Sequence, residues 1–134
     1  MKNIFSIIVL TTVFMACQKE ENLPAPYDPV EHNIEGKWTY EGNSLNTMYI
    51  FEDDTRYTFY CIGSDCDSLY NTFEAGDSNA IPGTNFYTFE NDTLTIDLNF
   101  GNELVTPLTF ECDGDKVNFI TSGYSLYRLG SNCN

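Results

Sequence analysis

Five cysteines, one histidine and three close-set pairs of aspartates carry the most distinctive chemistry in this chain. The histidine, His32, stands ahead of the patterned part of the sequence, so no Ser/His/Asp or Cys/His relay can be assembled on the residues after it. Catalysis would then rest on carboxylates. Asp53 with Asp54, Asp65 with Asp67 and Asp113 with Asp115 all stand in turn-like stretches, where aspartate is expected to bond its own backbone. They read as solvated turns, with weak calcium binding as the alternative. The expectation is a protein that is not an enzyme and uses no cofactor and no metal. The cysteines divide into Cys17 and a later set, Cys61, Cys66, Cys112 and Cys133. That set lacks the paired short spacings of a zinc site. In an exported protein it implies two disulfides, with three connectivities open.

The stretch ending at Cys17 has the features of an address. Lys2 precedes an apolar run from Ile4 to Met15, well short of the ~20 residues a membrane helix needs. The run closes in Phe14-Met15-Ala16-Cys17, which resembles the lipobox of bacterial lipoproteins, whose cysteine is lipidated before cleavage. Residues 1–16 are thus expected to be a lipoprotein signal peptide and Cys17 the lipid anchor. Gln18-Lys19-Glu20-Glu21 looks like the short export signal that sends lipoproteins of Bacteroidetes-type bacteria to the outer face of the outer membrane. Pro24, Pro26 and Pro29 make residues 17–33 a lipidated tether and extended spacer, with a reach of roughly 50 Å at ~3.1 Å per residue. The resemblance implies a lipid-anchored outer-membrane protein exposed at the cell surface. A net charge of -14 leaves no basic stripe to track phosphates, so nucleic acid is set aside as a partner.

Residues 34–134 must supply the fold. Aromatics make up 15% of the chain, and period-two alternation recurs where helical spacing does not, which points to an all-β domain. Eight segments alternate, at 35–41, 47–53, 55–61, 84–90, 93–99, 104–111, 115–120 and 124–129, and most are separated by short Asp, Asn or Gly turns. In the fifth, Leu94, Ile96, Leu98 and Phe100 share one face. Pro107 lacks a ladder donor and predicts a bulge or a locally unpaired position. The connection 62–83 is unusually long and reads as the working loop of the molecule, with a short strand over 68–74.

Ile34-Glu35-Gly36-Lys37-Trp38 looks like the opening Gly-x-Trp motif of lipocalin-type barrels, and Tyr127-Arg128-Leu129 looks like the closing strand whose arginine packs across that tryptophan. The hairpin phrases Tyr49-Ile50-Phe51-Glu52-Asp53-Asp54-Thr55-Arg56-Tyr57 and Asn91-Asp92-Thr93-Leu94-Thr95-Ile96 are similar to those of short lipocalin-like lipoproteins of Bacteroidetes. The resemblance covers residues 34–129. It implies an eight-stranded antiparallel up-and-down barrel closed at one end by Gly36, Trp38 and Arg128. The chain departs from classical lipocalins in lacking their second Thr-Asp-Tyr motif and their C-terminal helix. In such a barrel Cys61 and Cys66 fall at one end and Cys112 and Cys133 at the other, beyond the ~4.4 to 6.8 Å reach of a disulfide, so the expected pairs are Cys61 with Cys66 and Cys112 with Cys133.

Two functions from different classes are open to such a barrel. The first is a binding module whose mouth, lined by Tyr40, Tyr49, Leu98, Leu104 and Tyr124, takes a small apolar or aromatic-stacking ligand. The second is a surface interaction protein with a filled barrel, its loops 42–46 and 62–83 contacting a protein or glycan. A monomer is expected in both.

Overall fold

A computed structural model describes residues 31–43 and 46–133. The expected signal peptide, the anchor Cys17 and most of the spacer lie outside the described residues. The compact unit begins at Glu31, three residues before the boundary read from the sequence.

Eight antiparallel strands run in chain order and close on themselves: β1 (Gly36–Thr39), β2 (Thr47–Glu52), β3 (Thr55–Tyr60), β4 (Asn85–Glu90), β5 (Thr93–Asp97), β6 (Glu103–Glu111), β7 (Lys116–Phe119) and β8 (Tyr124–Arg128). Closure pairs Trp38 with Arg128 and Thr39 with Tyr127. The result is an up-and-down barrel of lipocalin-like form. Tight hairpins arise from residues that accept a left-handed backbone. Asp53 and Asp54 adopt φ 48° and 57°, and Asn91 and Asp92 adopt 49° and 57°, the pattern of two-residue turns whose twist matches the strands. The acidic pair Asp53-Asp54 is thereby accounted for as a turn.

Pro107 faces Thr93 at the end of the β5 ladder, and β6 turns to β7 from Leu108 onward. Its missing donor falls where the strand changes partner, while its carbonyl accepts from Ile120 N–H at 3.1 Å. β6 therefore runs unbroken through the proline.

The barrel interior holds Trp38, Phe51, Leu94, Ile96, Leu108, Val117, Phe119 and Leu126, all buried. A second buried cluster lies on the outer surface of β2 and β3. Met48, Ile50 and Phe59 point outward there, and Cys66, Tyr70 and Phe73 cover them. The cover is the long connection, which contains the helix α1 (Cys66–Thr72) and not a strand over 68–74. Cys66, Tyr70 and Phe73 recur at near-helical spacing and make one apolar stripe, with Phe73 stacked on Phe59 at 4.8 Å between ring centroids. Seven residues are too few to hold a helix in water alone. Tertiary contacts hold this one. The Cys61–Cys66 disulfide ties its start to β3, and Lys37 Nζ on β1 donates to Asn71 O at 3.2 Å and Glu74 Oε1 at 3.1 Å. The connection read as a working loop is thus a packed layer on the barrel wall.

Candidate functional site: the open end of the barrel

In an up-and-down barrel the connections after odd strands gather at one end and those after even strands at the other. The second end is closed here. Arg128 lies 4.5 Å from the centroid of the Trp38 ring, donates to Glu35 O at 2.9 Å and to Gly114 O at 3.4 Å, and faces Asp115 at 3.4 Å. Trp38 Nε1 donates to Ile34 O at 2.7 Å. Gly36 leaves room for this arrangement, since a Cβ there would lie 2.6 Å from Arg128 Nη1. His32 packs against Gly114, with its ring 5.5 Å from that of Phe110. The Cys112–Cys133 disulfide joins the β6–β7 turn to the C-terminal segment at the same end. The other disulfide, Cys61–Cys66, belongs to the end where β3 finishes.

At the open end three tyrosines meet. Tyr40 is 6.2 Å from Tyr49 and 5.5 Å from Tyr124 by ring centroids, and all three are only partly buried. Beneath them Tyr124 stacks on Phe119 at 4.5 Å, and Tyr49 lies 6.5 Å from Phe51, so the aromatic layer above rests on a closed aromatic floor. Leu104, at the start of β6, packs against the same core. Leu98 does not. β5 ends at Asp97, and Asn99 and Phe100 turn with φ 69° and 55°, which leaves Leu98 43% exposed and Phe100 fully exposed. The expected lining therefore loses Leu98 to the rim. The cause is a turn that starts two residues earlier than the alternation suggests, held by Leu98 N–H donating to Asn102 O at 2.8 Å.

A residue absent from the expected lining stands among the tyrosines. Asp53-Asp54 sets Phe51 opposite Arg56, so Arg56 shares the inward face of Phe51 and Tyr49. Its guanidinium sits 5.2 Å from the Tyr49 centroid, and its Nη2 donates to Asn85 Oδ1 on β4. Asn85 Nδ2 in turn donates to Asp97 O at 2.7 Å. Arg56 Nε is buried and has no hydrogen-bond partner. Burial pulls the guanidinium below its ordinary pKa, and the nearby Tyr49, Tyr124 and Tyr40 phenols oppose that pull. Burial likewise raises Tyr124, and burial together with the hydrogen bond to Tyr49 raises Tyr40 well above an ordinary phenol. The signal for Arg56 was the two-residue turn: once Glu52 faces Thr55, residue 56 must lie on the face of residue 51.

The arrangement brings together three partly exposed rings and one cation at this end of the barrel. A groove of about 330 Å³ lies between Asp67 and Asn71 of α1 and the segment from Tyr127 to Ser131, and it reaches Tyr40. No family model, curated protein or solved structure matches the chain.

Proposed function

We propose that this protein is a lipid-anchored, lipocalin-like binding module of the outer membrane that takes a small apolar or aromatic-stacking ligand at the open end of its barrel. The observation that carries the proposal is the trio Tyr40, Tyr49 and Tyr124, partly open to solvent above a buried floor of Phe51 and Phe119. Partly exposed rings over a filled base favour a shallow recess that grips a flat or chain-like molecule over a deep cup. The lipidation at Cys17 and display at the cell surface rest on the lipobox-like and export-signal-like residues. The domain works as a monomer, without enzymatic chemistry or nucleic acid. The test is native mass spectrometry of the protein extracted from its own membrane. A retained small molecule, lost on unfolding, is the expected result; protein that carries nothing in its native state would sink the proposal.

A second reading, contact with a surface protein or glycan, draws on the apolar side chains at the same end. Ile62, Leu98, Phe100 and Ile120 are all exposed on the connections after β3, β5 and β7.

A further inference from the structure

Arg56 is out of place for a purely apolar recess. The chain has six basic residues in all, and this one is turned into the barrel, where desolvating a charge is unfavourable unless a partner compensates. The compensation present is incomplete. Asn85 takes one N–H, the Tyr49 ring lies near the guanidinium, and the Nε–H has no acceptor. Among the described residues no carboxylate forms a salt bridge with Arg56, although the chain has twenty acidic residues. A guanidinium in this condition matches an oxyanion that presents two oxygens side by side to parallel N–H donors, as a carboxylate or a sulfonate does. The phenols of Tyr40, Tyr49 and Tyr124 add aromatic faces beside that position, and the rim residues Phe100 and Ile120 offer an apolar exit.

We propose that the ligand is an apolar monoanion, a carboxylate or sulfonate on an aromatic or aliphatic body, whose head is held by Arg56 while its body lies on the tyrosines. This deepens the binding-module reading and rests on it. The strongly acidic surface repels anions, so a preference for an anionic ligand over its neutral twin cannot come from the overall charge and must be local.

A matched pair of fluorescent probes separates the two claims: anilinonaphthalene sulfonate and its uncharged parent, phenylnaphthylamine. The native domain should bind the sulfonate about tenfold more tightly or better, and Arg56→Met should bring the two probes level. Asn85→Asp is the second variant. It keeps the shape of the recess but sets a carboxylate beside the guanidinium, and it should abolish the preference without unfolding the barrel, as checked by its melting curve. Displacement of the bound sulfonate by naphthoate and not by naphthylmethanol would extend the preference to carboxylates. If both probes bind equally, or if the preference survives both substitutions, the anion proposal fails while the binding module stands. If neither probe binds, both fall.

Discussion

At the closed end, one cation and one indole account for the geometry of several neighbours. Gly36 has φ 116°, and a Cβ there would lie 2.6 Å from Arg128 Nη1, so even alanine is excluded there unless the guanidinium moves. Trp38 is fully buried, and Trp38→Ala should lower stability by ~3 to 5 kcal/mol in urea denaturation, as large aromatic truncations do. Arg128→Ala should cost less, and the double mutant should fall short of the sum by ~0.5 to 2 kcal/mol, the scale of a cation over a ring. Simple additivity would show that the contact contributes nothing. Tyrosines give a second prediction at this scale. Burial, helped by the charges of Glu35 and Asp54, pushes Tyr87 up to about 12, and Tyr40 and Tyr124 are raised as well. A folded-state pKa above the unfolded value, about 10, means that folding favours the neutral phenol. That stability is fully present below pH of about 10 and is lost as pH climbs toward 12. Urea midpoints taken across this alkaline window should fall, and the fall should shrink in Tyr87→Phe.

The long connection matters most among the elements. It covers Met48, Ile50 and Phe59, three apolar side chains that would otherwise face water on the barrel wall. Phe73→Ala removes the ring stacked on Phe59 and should destabilise the fold by ~3 to 5 kcal/mol. Replacing residues 68–80 with a Gly/Ser linker should do at least as much damage, since it uncovers the whole cluster. An unchanged melting temperature after that replacement would mean that the helix merely rests on the wall. The connection also occupies strand edge that β4 leaves free. β3 and β4 pair only at Thr55 with Phe86 and Arg56 with Asn85, while Ile81 N–H donates to Thr58 O at 2.8 Å farther along β3. A barrel with so short a ladder at one seam needs that edge covered. Arg56 and Asn85 therefore stand in one of the two shortest ladders in the barrel wall, the other being the β1–β8 closure.

For the whole molecule, net charge bears on the proposed anchorage. An acidic domain has no electrostatic attraction to anionic membrane surfaces, so the proposed attachment would depend entirely on the lipid on Cys17. Cys17→Ser should therefore move the protein from the membrane fraction to the soluble one, and protease added to intact cells should remove the domain from the unaltered protein. Retention of the Cys17→Ser protein in membranes would refute the anchor. Resistance of the unaltered domain on whole cells would place it on the inner leaflet.

Some features were legible in the residues themselves. The eight alternating segments and the left-handed turns at Asp53-Asp54 and Asn91-Asp92 are local properties, set by pleat and backbone sterics, and the strands appear close to where the alternation put them. From them, strand count and direction determine which cysteines share an end, and the pairs Cys61–Cys66 and Cys112–Cys133 result. Alternation says that a strand has two faces, but it does not say which face is inside. In β3 the more apolar face, Tyr57 and Phe59, turns outward, and the face with Arg56 and Thr58 turns into the barrel. Only the tertiary structure decides this, because the outward face is buried by a helix contributed from residues 66–72, whose own seven positions hold no helix without the wall they cover. Leu98 and Arg56 follow from local turns, the one at Asn99-Phe100 and the one at Asp53-Asp54, but which face of β3 is inside is set by what the rest of the chain lays against the strand, which no window of that strand contains.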